Sequence, residues 1–135
     1  MNSHAPTPAP PASTLADEIA ATFRGSRSRA LVLTADTVFY RAGTRGRPFG
    51  QFLSTDKPVS VMQTRIDKAI PVVWSNGTPA PLDTGFAIRI PRGTVVYSGD
   101  VASQGGIYVG GTNQIFVSQP WTIPGAAIVD SWTLR

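Results

Sequence analysis

The chain has 135 residues, 41% hydrophobic and 15% charged, which is enough for one domain with a real core. It has no cysteine, and its single histidine (His4) and single glutamate (Glu18) both lie near the amino terminus. Thiolate or imidazole metal sites, a Ser-His-Asp triad and a histidine-pair ribonuclease are therefore excluded from the rest of the chain. The net charge of +4 is carried mainly by arginine, whose rigid fork of donors matches phosphate, yet no dense basic run interleaved with aromatics points to nucleic acid.

Residues 1–13 hold Pro6, Pro8, Pro10 and Pro11 among Ala, Thr and Ser, and read as a disordered linker. This start is not a basic patch followed by an apolar block, so no secretory signal is read in it, and no apolar run approaches the roughly 18 residues of a membrane span. Residues 14–135 read as a single domain. Thr14 and Asp17 resemble a capping box, and Leu15, Ile19 and Phe23 form one apolar stripe, predicting a short amphipathic helix ending before Gly25.

The β-branched and aromatic run from Ala30 to Ala42, broken near Ala35-Asp36, predicts one bent strand or two short ones. Gly43 to Gly50 predicts an exposed loop, and Gln51 to Ser54 a brief return to extended chain. Pro58 suits the first position of a second helix capped by Thr55 or Asp56, with Met62, Ile66, Ala69 and Ile70 as its apolar stripe and Pro71 as its stop.

Strands then dominate. Phe86, Ile88 and Ile90 alternate with Ala87 and Arg89, as in a half-buried strand. Further strands are expected at Thr94–Tyr97, within Gly105–Val109, at Gln114–Val117 and at Ala126–Leu134. The order gives an α+β fold: a central, twisted, mostly antiparallel or mixed sheet with two short helices. Two glycine pairs, Gly105-Gly106 and Gly110-Gly111, precede Gln114 and mark a bulge or a place where a ligand approaches the backbone closely.

Taken together, Phe39-Tyr40-Arg41-Ala42-Gly43, Phe49-Gly50-Gln51-Phe52-Leu53-Ser54, a helix bearing Arg65, the Gly-Thr-x-Val-Tyr-x-Gly segment, Gln104, Gly110-Gly111 and Gln114 resemble bacterial NAD(P) glycohydrolase toxins. The similarity is to the tuberculosis-necrotizing-toxin family and the type VI secreted NADase effectors, and it spans roughly residues 37 to 121. Thr112 stands where the necrotizing-toxin branch commonly has a third glycine, and that branch's site histidine has no counterpart.

The resemblance implies a fold distantly like ADP-ribosyltransferases and cleavage of the nicotinamide-ribose bond, with NAD+ or NADP+ as substrate and no further cofactor or metal. It implies Gln114 and Arg65 as catalytic residues. Arg41, Phe52, Ser54, Tyr97, Gln104, Gly110 and Gly111 would bind the dinucleotide. A secreted effector acting in the cytoplasm of a target cell, and a cognate immunity protein that plugs the cleft, are the expected setting.

The residue types fit such chemistry. Nicotinamide leaves a glycoside as a neutral molecule, so holding the phosphates, stabilising positive charge on the sugar and placing a water suffice. Two alternatives stay open from the sequence. One is an ADP-ribosyltransferase, although no glutamate follows Glu18 to activate an acceptor. The other is a non-catalytic β-rich binding module, which needs only the aromatics and arginines.

Overall fold

The computed structural model describes residues 7–8, 16–70, 82–103 and 110–135. Eight strands are present among them: β1 Thr7–Pro8, β2 Arg29–Val32, β3 Thr37–Gly43, β4 Phe52–Leu53, β5 Thr84–Ile90, β6 Val95–Asp100, β7 Asn113–Phe116 and β8 Ala127–Thr133. Two helices, α1 Asp17–Ala20 and α2 Val61–Asp67, and two 3-10 turns, Arg24–Ser26 and Pro120–Thr122, complete the described elements.

The α+β class holds and every pairing is antiparallel, but the strands form two sheets where the sequence predicts one. The first has the order β1-β2-β6-β7-β4 and the second β3-β5-β8. The break at Ala35-Asp36 is what divides them, because β2 pairs with β6 while β3, five residues on, turns to pair with β5 along its whole length. Thr7–Pro8, inside the stretch read as linker, pairs with Leu31 and Val32. Proline is tolerated there because an edge strand needs no donor on its outer side.

One core joins the sheets. Leu33, Phe39, Leu53, Phe86, Ile88, Ile90, Val96, Ile115 and Val117 form a single buried cluster drawn from both. Burying side chains of this kind contributes about 1.5–3 kcal/mol each. The half-buried pattern expected for β5 is not what forms: Thr84 through Ile88 are all buried, and only Arg89 is exposed. As the middle strand of its sheet, β5 is also covered on its second face, where the Trp132 ring lies directly over Gly85 and donates from Nε1 to the Pro58 carbonyl at 3.1 Å.

Both helices are shorter than the sequence predicts. In α1 the turn closes after Ala20, and the chain passes through a left-handed Gly25 at φ 64°. Phe23 is nonetheless buried, bridged to Val101. The helix α2 begins three residues after Pro58, with Ser60 as the cap whose hydroxyl accepts from the Gln63 N–H at 3.1 Å. Its buried face is Thr64 and Arg65, while Met62 of the predicted stripe is 55% exposed. On that buried side Arg65 Nη1 donates to the Ile70 carbonyl.

The two sheets meet through their edges. β4 is the edge of the first sheet and β3 of the second, and Tyr40 and Ser54 exchange both backbone hydrogen bonds, at 2.8 and 2.7 Å. No further pairing joins the two edges among the described residues. A cavity lies beside them, walled also by α2 and the 43–50 loop.

Candidate functional site

The cavity has a volume of about 570 Å3, within the range of small-molecule sites. Tyr40 and Arg41 of β3, Phe52 and Leu53 of β4, Ser54, Gln63, Thr64 and Asp67 of α2, Lys68, Gln114 of β7, Thr22 and Val101 contribute to its walls. Arg41, Arg47, Lys57 and Lys68 line it against two carboxylates, Asp56 and Asp67. Of these, Lys68 is held by Asp56 at 2.6 Å and by the Asn113 carbonyl at 2.6 Å. Asp67 accepts from the Gln63 amide at 2.8 Å. The remaining excess is positive and includes Arg41.

Arg41 is fixed without an acidic partner among the described residues. Its Nη1 donates to the Arg47 carbonyl at 2.8 Å and more weakly to that of Pro48 at 3.4 Å, and its guanidinium carbon lies 6.0 Å from the Phe86 ring centre. The group occupies a slot left by Gly43 and Gly50, where a Cβ on either glycine would collide with it. Burial holds its pKa below the ordinary arginine value, because the charge has lost water. An arginine in a protein keeps its proton nonetheless. A held, partly desolvated cation lacking a carboxylate is suited to an anionic ligand.

Gln114 is 8% exposed, and its Nε2 donates to Thr22 Oγ1 at 2.9 Å. Alternation along β7 turns it away from the neighbouring Ile115, whose side chain enters the core. Ser54 is buried and also lines the cavity, but its hydroxyl donates to the Asp56 carbonyl at 2.8 Å, closing the turn after β4. Phe52 is 39% exposed on the wall, its ring 5.4 Å from that of Phe116.

The structure therefore brings together Arg41, Phe52, Ser54 and Gln114 of the sequence candidates. Others stand apart. Arg65 is 6% exposed and does not line the cavity; Nη1 donates to the Ile70 carbonyl at 3.3 Å, tying the end of α2. Tyr97 packs its ring 6.1 Å from Phe116 and is also absent from the walls.

Gly110 and Gly111 take φ of 68° and 91°, and their N–H groups donate to the carbonyls of Ile66 and Val101. They pin β7 to α2 and to Val101, just behind the wall. Gln104 and the Gly105–Val109 strand lie outside the described residues.

Sequence reasoning missed Thr22, Asp67 and the glycine slot. Thr22 gives no local signal, since its partner is 92 residues away. The slot had one: glycines at both ends of a loop beginning two residues after an arginine.

No protein-family model and no curated protein matches the chain. Among solved structures it is similar to Tne2, in the structure of Tne2 in complex with Tni2, with a TM-score of 0.65 and 13% identity over 81% of this chain and 93% of that one. That similarity shows the fold. No described helix is long and apolar enough to cross a membrane.

Proposed function

We propose that the chain is an NAD(P)+ glycohydrolase toxin domain, releasing nicotinamide and ADP-ribose and so depleting the dinucleotide of a target cell. The observation that carries this reading is the pairing, on one cavity, of the Arg41 guanidinium that no described carboxylate neutralises with the fixed amide of Gln114. Arg41 would hold the pyrophosphate, and Phe52 would lie against one of the flat rings.

In the reaction the C1′–N bond breaks and its electron pair leaves with nicotinamide. Water then bonds to C1′ and its proton passes to solvent. The amide of Gln114 would orient that water or a ribose hydroxyl, a contribution of position and not of proton transfer. Arg65 would act through α2, holding the wall that carries Thr64, Asp67 and Lys68.

The motif resemblance supports the activity, and the fold shared with Tne2 is consistent with it. That Tne2 was solved in complex with a second protein supports the expectation of a cognate immunity protein covering the cleft. Delivery as a secreted effector to the cytoplasm of another cell belongs to the same proposal. The test is turnover of NAD+ and NADP+ followed by chromatography of nicotinamide and ADP-ribose. Absence of both products at micromolar protein overturns the reading, and ADP-ribose fixed stably to protein instead of water makes the chain a transferase.

A further inference from the structure

Thr22 sits between α1 and the Arg24–Ser26 turn, 92 residues from Gln114. Its Oγ1 lies 2.7 Å from the Ile19 carbonyl oxygen and 2.9 Å from Gln114 Nε2. A hydroxyl carries one proton, and a carbonyl can only accept. The proton is thus committed to Ile19, and Thr22 faces Gln114 with a lone pair.

A lone pair in that place sorts the two ends of the amide. The –NH2 end is drawn toward Thr22 and the carbonyl Oε1 is set on the other branch, where no described residue donates to it. Were the amide reversed, Thr22 would have to give up its bond to Ile19 or leave two acceptors facing each other in a nearly dry site. Thr22 itself has little freedom. Its N–H also bonds to the Ile19 carbonyl, its own carbonyl accepts from Ala102, and the next residue, Phe23, is buried against Val101.

We infer that Thr22 is a positioning residue for Gln114, fixing that side chain as a hydrogen-bond acceptor toward the cavity. The substrate group it takes is then a donor, an O–H of the attacking water or of the ribose, and not a phosphate or carbonyl oxygen. This rests on the glycohydrolase reading, which it deepens by assigning the polarity of the contact.

The test compares Thr22→Val, which keeps the shape and removes the hydroxyl, with Thr22→Ser, which restores it. Thr22→Val is expected to lower kcat about tenfold or more with KM changed by less than about threefold, because position and not ground-state binding is lost. Thr22→Ser is expected to stay within about threefold of the parent in both. In parallel, the 15N-labelled side-chain –NH2 of Gln114, assigned by its loss in Gln114→Ala, should exchange slowly in the parent and in Thr22→Ser. In Thr22→Val it should exchange as fast as that of the exposed Gln119.

Parental kcat in Thr22→Val, equal impairment in both variants, or unchanged exchange in Thr22→Val overturns the positioning role and leaves the glycohydrolase reading standing. A parent chain without turnover removes that reading, while the exchange measurement still decides whether Thr22 orients the amide.

Discussion

The guanidinium of Arg41 fills the space in which Gly50 would carry a Cβ, and Gly43 leaves the same opening on its other side. Neither glycine has a left-handed backbone, so each is small for the sake of its neighbour and not of its own φ. Gly50→Ala should displace the arginine without breaking the fold, since the colliding atoms are the end of a flexible side chain. The expected result is a KM for dinucleotide raised about tenfold, with a thermal midpoint within a few degrees of the parent. Steady-state kinetics and a melt on the same sample check it.

Gln114→Ala removes the buried carboxamide that β7 fixes on the wall. Thr22 keeps its bond to Ile19, so the stability cost should stay near 1 kcal/mol while turnover falls by at least about a hundredfold. Product chromatography beside a urea melt separates the two effects. Turnover at the parental level would place the chemistry elsewhere.

Arg65 should behave oppositely. Buried and bonded to the Ile70 carbonyl, it holds the end of α2, and Arg65→Ala is expected to cost about 1.5–3 kcal/mol of stability. Its denaturant midpoint should fall, and any activity lost should return in part when the assay is run cooler or with a stabilising osmolyte. A variant with the parental midpoint and no turnover would instead put this guanidinium in contact with substrate.

Asp83 ties the loop that carries the acceptors of Arg41. Its carboxylate accepts from the Thr84 hydroxyl at 2.7 Å and the Arg45 N–H at 2.8 Å, and these bonds, the first foremost, hold its pKa below the ordinary value. A depressed carboxylate contributes stability that is present above the unfolded pKa of about 4 and is lost as pH falls through the folded value. Melts from pH 6 down to pH 3 should therefore bring the parent and Asp83→Asn together at the acid end. A constant gap between them would contradict this account.

How much of this could be read from the chain depends on the range over which each feature is determined. The loop between Gly43 and Gly50, the short extended stretch before Ser54 and the strand opening near Gln114 are set by neighbouring residues, and they appear at about the expected positions. The α+β class follows from the same local patterns. The division into two sheets does not, because the sequence near Ala35-Asp36 specifies a bend but not which partner each arm will find.

The burial of both faces of β5 was hidden for a related reason. Gly85 lies under the ring of Trp132, more than forty positions later, and β8, which carries that ring, is the strand's hydrogen-bonded neighbour. At the site, Gln114 and Arg41 stand out by residue type and setting. The partners that give them direction, Thr22 and the carbonyls of Arg47 and Pro48, are ordinary residues made specific by tertiary placement.

The clasp between Tyr40 and Ser54 gives the molecule a mechanical character. Among the described residues one pair of backbone bonds is all the pairing that β3 and β4 share, so the common core, and not a continuous ladder, holds the two sheets on either side of the opening. A protein laid across that opening would bar a ligand from the cavity even without touching Gln114.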